Sequence, residues 1–491
     1  MGFLTALSLI YTTACLAQYK PAEGSRLNYR LIYFSFPEQG SSTNTIEIAH
    51  GNVTNEADFA RNIVRTYPVT GTSIIGEVPL FGNNYTWRVV SGSKAGRLNH
   101  FSVLKDKYTD ESTYRFRVQK ESARYKDGYI LCDGTRAIYD INGHPVWYLP
   151  AIPGEIDSNS VIRDMKITAT GTITFLSTNS AYEVNYDGKL VWKAPRHPLP
   201  NGDSIERYHH DMTKLSNGHY MVMGTDSRAY VWRHTSPSDS ILIIQPAGYE
   251  NPQPVMNRPA KIQFATLLEF DEKGKLKWSW STTSYFAKLP PNALTRQHQD
   301  THANAFYFDE SSGCIYVSIK NTSEILKIKY PEGTVLNVFD GENDVDQESS
   351  FCEQHTCKLN RDGNLYIFNN NMCRKADGPG VVVFRETANG HKLEKVWQFE
   401  FGPEQYHLRQ PRTNATSGGS ASELADGALF ISLCVPDGNM YIVNENKDIE
   451  WQAALEKFNA TEADWRTYSF YRASMTTDKK IMGRLVKGTN N

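Results

Sequence analysis

The sequence predicts an all-β protein, a six-bladed β-propeller preceded by an N-terminal β-sandwich domain. Two interleaved hairpin patterns predict it. In the first, a turn glycine stands four residues before a tryptophan: "AIYDINGHPVWYLP" has Gly143 and Trp147, "YEVNYDGKLVWKAP" has Gly188 and Trp192, and "LLEFDEKGKLKWSW" has Gly274 and Trp278. Looser copies are "ILKIKYPEGTVLNVF", with Asn337 in the tryptophan position, "VVFRETANGHKLEKVWQF", with a longer turn before Trp397, and "YIVNENKDIEWQAA", with Trp451. The second pattern lies between these: "MKITATGTITFLS", "MTKLSNGHYMVMG", "AFYFDESSGCIYVSI", "CKLNRDGNLYIFNN", "SELADGALFISLC" and "MTTDKKIMGRL". In both patterns strand-forming residues flank Gly, Asn or Asp turn chemistry, as paired antiparallel strands require. Two hairpins per repeat make a four-stranded unit, and six such units point to a propeller. A long insertion rich in Pro, Ser and Asn interrupts the spacing around residues 225 to 262.

The elements outside the repeat follow in chain order. "MGFLTALSLIYTTACLAQYKP" is an apolar leader of signal-peptide length ending in Cys15-Leu16-Ala17, so residues 1–17 are expected to direct export to the periplasm or beyond. Acylation of Cys15 is the alternative fate of that segment. Residues 22–118 carry "LNYRLIYFSF", "TSIIGEVPLF" and "YTWRVVSG", short strands separated by turns, which suggest a fibronectin-type-III-like sandwich. It is expected to position or oligomerise the propeller of residues 119–491, a homodimer being the assembly considered. A formal charge of −2, with both signs scattered along 491 residues, gives no reason to expect a nucleic-acid partner.

Cysteine usage agrees with export. After the leader, Cys132, Cys314, Cys352, Cys357, Cys373 and Cys434 remain, an even number suited to an oxidising compartment. Cys132, Cys314 and Cys434 sit inside apolar strands and read as buried thiols. At least one of Cys352 and Cys357 is expected in a disulfide, with Cys352–Cys357 and Cys357–Cys373 the leading pairings. No CxxC pair is present, which argues against a zinc ribbon.

Candidate chemistry precedes the second-pattern hairpins, where propeller strands face the central channel. There stand Arg163, His209-His210-Asp211, His302 and Asn304, His355, and Arg472. Counted back from the apolar residue before each turn, His209, His302, Asn304, His355 and Arg163 lie at even spacing, so in regular strands they share a face. His210 and Arg472 fall out of step unless a bulge intervenes. His219 and His391 read as solvated turn residues. Three histidines in matching places in three repeats favour a site over three separate structural roles.

"HHD", "THAN…VSIKNTSEILKI" and "EQHTCKLNRDGNLYIFNN" resemble the bacterial arylsulfate sulfotransferases, exported six-bladed propellers with a β-sandwich N-terminal domain. "AIYDINGHPVWYLP" supports the resemblance, which covers nearly all of the propeller. It implies that His355 takes the sulfuryl group, that His302 and Asn304 form the H-x-N element, and that His209 or His210 supplies the histidine of the HHD motif. Where the family has an arginine after H-x-N, this chain has Lys320, which keeps the charge but loses the two-pronged fork. Arg163 and Arg472 are candidates to bind the sulfuryl oxygens in its place, without a family match.

The implied reaction moves a sulfuryl group from an aryl sulfate to a phenol through a sulfohistidine, in two covalent steps. Its logic is that of phosphoryl transfer, with in-line attack and charge on non-bridging oxygens. His302, with His209 or His210, would steady those oxygens and move the phenolic proton, while Lys320 and Asn304 hold the oxygens. No nucleotide or other cofactor is called for. Two rival readings of the same histidines are a zinc or copper site and a non-catalytic binding propeller.

Overall fold

The computed structural model describes residues 19–40, 43–177, 180–198, 200, 205, 207–234, 240–244, 260–286, 301–341, 351–373, 378–387, 392–402, 418–434 and 438–488. The leader, Cys15 and His391 lie outside the described residues. The chain is nearly all β, and its described residues divide into two compact units, one up to residue 105 and one from 106 to 488.

In the first unit Ser25–Leu27, Asn99–Val103, Asn83–Ser91, Thr43–His50 and Ile63–Thr70 form one sheet in that order, with Lys94–Ala95 paired to Asn83–Ser91. Leu31–Ser35 and Ser73–Glu77 form a second. Alternation along Thr43–His50 buries Ile46 and Ile48 on one face. Phe34 of the small sheet meets Trp87 of the large one edge-on, ring centroids 5.2 Å apart.

The second unit holds six sheets, each built on four antiparallel strands. The first consists of Tyr129–Cys132, Ala137–Asp140, Pro145–Tyr148 and the C-terminal strand Ala473–Thr476. The second is Ile162–Ile167, Ile173–Ser177, Ser180–Val184 and Leu190–Lys193. Arg207–Lys214, Tyr220–His234, Ala260–Phe270 and Leu276–Ser281 make the third. The inserted residues lengthen its middle strands, and Ser240–Ile244 pairs with the far end of Tyr220–His234. The fourth runs from Ala303–Asp309 through Cys314–Ile319 and Glu324–Lys329 to Thr334–Asp340. His355–Leu359, Leu365–Asn369, Gly380–Glu386 and Leu393–Glu400 form the fifth. The sixth is Ser420–Glu423, Leu429–Leu433, Asn439–Val443 and Ile449–Asn459, with two further strands on the last.

The repeated tryptophans tie neighbouring sheets together at their outer strands. Indole N–H groups donate from Trp147 to Tyr186 O (2.6 Å), from Trp192 to Asp271 O (3.3 Å) and from Trp278 to Pro331 O (2.7 Å). Trp397 donates to Glu445 O (2.8 Å) and Trp451 to Ile141 O (3.3 Å), so the sixth sheet returns to the first. The fourth sheet, with Asn337 in place of tryptophan, reaches the fifth through Lys327 and Glu386 at 2.7 Å. Each indole buries a large apolar face and satisfies its one donor on the adjacent outer turn.

Three expectations are revised. Tyr114–Lys120, which the sequence places at the end of the first domain, pairs with Ile449–Asn459 of the sixth sheet. Buried Glu456 explains it: Arg115 and Arg117 pair with its carboxylate at 2.6 and 2.8 Å, and Phe116 stacks on Tyr139. "MTTDKKIMGRL" is not a hairpin. Its start pairs with Tyr129–Cys132, and Lys479–Lys487 is a helix capped by Asp478. Met482, Leu485 and Val486 form its buried stripe, a helical spacing that the hairpin reading overlooked. Gly171 admits the helix closely, for a Cβ there would stand 2.7 Å from the Arg484 backbone. Finally, the disulfide joins Cys352 to Cys373, with Cα atoms 6.1 Å apart. Cys357 is free and buried, its thiol directed at Tyr316 O (3.5 Å), so both leading pairings fail although Cys352 is bridged.

Candidate active site

The innermost strands of the second to fifth sheets are irregular, and at corresponding places. Register shifts interrupt the pairing between Arg163 and Lys166, Tyr208 and Met212, Ala303 and Ala305, and His355 and Cys357. At each break a non-glycine residue is left-handed: Asp164 (φ 55°), His210 (63°), His302 (54°) and Thr356 (58°). Such residues are uncommon, and bulges re-aim side chains beside functional sites. The strands are therefore bulged where even spacing assumed them regular, the one case in which His210 was expected to come into step. His210 is brought to the site although it was out of step.

The breaks carry a belt of side-chain links running from sheet to sheet. Asp133 Oδ2 accepts from Asp164 N (3.1 Å), Asp164 Oδ2 from Met212 N (3.1 Å), and Asp211 Oδ2 from Phe306 N (3.2 Å). Asn304 Nδ2 then donates to Gln354 O (2.8 Å), Asn370 Nδ2 to Gly418 O (3.0 Å), and Ser420 Oγ to Ala473 O (3.0 Å). Buried Arg472 braces this belt. Its Nη1 donates to Asp164 Oδ1 (2.7 Å) and His210 O (3.0 Å), and its Nη2 donates to Asn304 O (2.6 Å). Asp211 lies 3.3 Å from the same guanidinium. Arg472 is thus engaged with the protein rather than free to clamp a substrate, and Asn304 directs its amide at the backbone beside His355.

His355 opens its strand and is 2% exposed. Its Nδ1 lies 2.7 Å from Asn370 Oδ1. Because the Asn370 amide nitrogen is spent on Gly418 O, Oδ1 is an acceptor and Nδ1 carries the proton. Nε2 is left with its lone pair. Burial pushes the imidazole down to about 3; the Asn370 bond works against this, and Arg472, His302 and Lys320 add to it. His210 is also held well below its ordinary value, by burial and then by His209, His302, Arg472 and His355. Both rings are neutral at pH 7.

The other histidines gather beside it. His210 and His302 ring centroids are 4.9 Å apart, and His209 Nδ1 is 2.5 Å from His210 Nδ1. Tyr471, which the sequence reading missed, stands between the two groups, 5.7 Å from His210 and 6.3 Å from His355. Its buried hydroxyl has no hydrogen-bond partner among the described residues, and the Arg163 guanidinium lies 5.1 Å from its ring. Its place beside Arg472 in "FYRASM" was the available signal. Asn370 was missed as well, although it stands in the quoted "YIFNN".

Lys320 is close to this group but is not free: Nζ donates to Glu353 Oε2 at 2.6 Å. Exposed Arg163 forms no ion pair among the described residues. A cleft lined by Arg207, His209, His210, Gln263 and His302 opens beside the histidines. A second cavity, lined by Asp164, Lys166, Asp211, Lys358 and Arg472, contains no histidine. Among the described residues no group of three or more His, Cys, Asp or Glu side chains is placed to hold a metal ion. His219 is not a solvated turn residue, since its Nδ1 sits 2.6 Å from buried Glu269.

Residues 118–399, more than half of the chain, match the model of the arylsulfotransferase family. The chain belongs to the arylsulfotransferase family, and it is a sulfotransferase enzyme. The match spans Arg163, His209, His210, His302, Asn304, Lys320, His355 and Asn370 but stops short of Tyr471 and Arg472. No curated protein matches the chain. Among solved structures, a protein of unknown function from Bacteroides caccae is 16% identical, covering 69% of this chain and 93% of its own, with a TM-score of 0.38. A protein from Lactobacillus plantarum is 14% identical, with 88% and 99% covered and a TM-score of 0.29. Scores this low give these likenesses no weight.

Proposed function

We propose that the enzyme transfers a sulfuryl group from an aryl sulfate ester to a phenol, without a nucleotide, through a sulfohistidine at His355 Nε2. The observation that carries this reading is the Nδ1–Asn370 bond, which leaves Nε2 unprotonated in a buried site. In the first step the Nε2 lone pair forms a bond to sulfur while the sulfur–aryl oxygen bond breaks, and the leaving phenolate takes up a proton. Because Nδ1 keeps its proton, the product is an N-sulfo imidazolium, whose ring nitrogen leaves readily. In the second step an acceptor phenol loses its proton, its oxygen attacks sulfur, and the nitrogen–sulfur bond breaks to restore His355.

His302, with His209 and His210, is assigned to the phenolic proton and the sulfuryl oxygens. Lys320, Arg163 and the Tyr471 hydroxyl are the donors for charge on those oxygens. Asn304 acts by placing the backbone before His355, and Arg472 by bracing the belt. A chelator separates the covalent reading from a metal-binding one, which no group of ligands among the described residues supports.

The six sheets are assigned to a closed six-bladed propeller, supported by the outer tryptophan links and the inner belt, both of which return from the sixth sheet to the first. The first unit is assigned to a β-sandwich, supported by the packing of Phe34 on Trp87. Export to the periplasm or the medium remains a proposal, with the Cys352–Cys373 disulfide in its favour.

Rapid mixing with excess 4-nitrophenyl sulfate tests the covalent route. A burst of nitrophenol equal to the enzyme present is expected, followed by a slow phase that an added phenol accelerates and a chelator leaves unchanged. A slow phase indifferent to every phenol tried would contradict transfer.

A further inference from the structure

Lys320, whose backbone N–H donates to His302 O at 3.0 Å, pairs with Glu353. The Glu353 carboxylate is 2.6 Å from the ammonium, two residues before His355 in the chain. Glu353 is left-handed (φ 49°), and its N–H is held by Ser323 Oγ at 3.2 Å. That backbone fixes the carboxylate's position at the cost of local strain.

Several of the charges around the reacting nitrogen are paired. His355 and His210 are neutral, and Arg472 and Lys166 are balanced by Asp164 and Asp211. Lys320 is balanced by Glu353, while Arg163, Arg207 and Lys358 are cations without an ion pair among the described residues. Glu353 holds the positive charge that meets a ligand one unit lower than Lys320 alone would leave it, which favours a sulfate ester, a monoanion, over a dianion. An aryl phosphate, with its second pKa near 6, is mostly a dianion at pH 7.5, and inorganic sulfate is a dianion too. Both have the tetrahedral shape of the sulfuryl group and the same oxygens to offer Lys320.

We propose that Glu353 is a specificity-determining residue that rejects dianions, so that the site admits sulfate monoesters in preference to phosphate monoesters and free sulfate. It does so by neutralising Lys320 while leaving the ammonium's remaining hydrogens able to donate. The second negative charge of a dianion then meets a carboxylate in place of a bare cation, and like charges brought together select against the wrong partner. An arginine in Lys320's place would keep a second guanidinium edge free of the carboxylate, so the filter depends on lysine's single point charge. This inference rests on the sulfuryl-transfer reading of the site.

The test measures binding of 4-nitrophenyl sulfate, 4-nitrophenyl phosphate and inorganic sulfate by calorimetry at pH 7.5, alongside turnover of the sulfate ester. Glu353→Gln keeps the shape and an oxygen for Lys320. It is expected to tighten both dianions about tenfold or more relative to the sulfate ester, the scale of one added neighbouring charge. Glu353→Asp, which keeps the charge, should retain the rejection, and thermal melts of both variants check the fold. Unchanged relative affinities in Glu353→Gln, or dianions that bind neither protein, would overturn the filter. Tightened dianions in a protein that never turns over the sulfate ester would instead leave the filter standing and sink the transferase reading.

Discussion

The outer and inner edges of the six sheets solve the same joining problem in different ways. At the outer edge, glycine turns such as Gly143 (φ 92°), Gly188 (75°) and Gly274 (77°) carry the left-handed backbone, where glycine adopts it without strain. Tryptophan N–H groups then bridge to the adjacent sheet from outer strands whose pairing also shifts register beside the turn. At the inner edge the left-handed positions are Asp164, His210, His302 and Thr356, and aspartates, asparagines and Ser420 make the links. Side chains there pay for strain and burial, and the histidines stand among them. Both edges join sheets, but the histidines stand only at the inner one. The inner irregularity is what turns His355, His210 and His302 toward one place.

If that contrast is right, inner substitutions should damage catalysis far more than outer ones. His355→Asn should remove turnover by several orders of magnitude with the melting temperature kept, since the nucleophile itself is lost. Asn370→Ala should lower kcat roughly a hundredfold, the scale of one lost transition-state interaction, by freeing the ring to take the wrong tautomer. Asn370→Asp sharpens the test. A carboxylate against the Nδ1–H raises the imidazole pKa, so kcat/KM should begin to fall at a higher pH than in the parent enzyme. The parent, with His355 pushed down to about 3, should show no fall in kcat/KM between pH 6.5 and 5 from this group.

Stability carries the next effects. Arg472→Met leaves Asp164 and Asp211 buried beside too little positive charge and should cost about 3–5 kcal/mol in chemical denaturation. Folded-state pKa values below 6.5 at His355 and His210 mean that the unfolded chain binds more protons as pH falls. Stability from these groups is therefore complete above pH 6.5 and is lost below it, by up to about 1.4 kcal/mol per pH unit for each. His219→Ala should leave turnover intact but strip buried Glu269 of a partner, lowering stability modestly. Smallest of all, Trp278→Phe, at a partly exposed indole, should cost on the order of 1 kcal/mol, the worth of its hydrogen bond to Pro331 O, with unchanged kcat.

The same contrast governs what the sequence could disclose. Eleven of the twelve quoted hairpins are present because turn residues and flanking apolar strands are local signals. The exception, "MTTDKKIMGRL", was assigned by analogy with its neighbours, although Asp478 caps a helix there and the spacing of Met482, Leu485 and Val486 is helical. The histidines were legible as a recurring group, yet their orientation was not. A bulge adds one residue and a left-handed φ at Asp164, His210, His302 or Thr356, and neither has a compositional signature. Asn370, Tyr471 and the Glu353 partner of Lys320 escaped for a related reason. Each acts through a contact with a residue placed beside it only by folding, as the Cys352–Cys373 bridge does.

The most direct measurement is to trap the intermediate. Enzyme quenched during the nitrophenol burst, digested at a pH that preserves nitrogen–sulfur bonds, should yield one peptide heavier by a single SO3 group. Fragmentation should place that group on His355, it should disappear when a phenol is added before the quench, and it should be absent from His355→Asn. A burst accompanied by a sulfuryl group on His209, His210 or His302, or by none at all, would contradict the account.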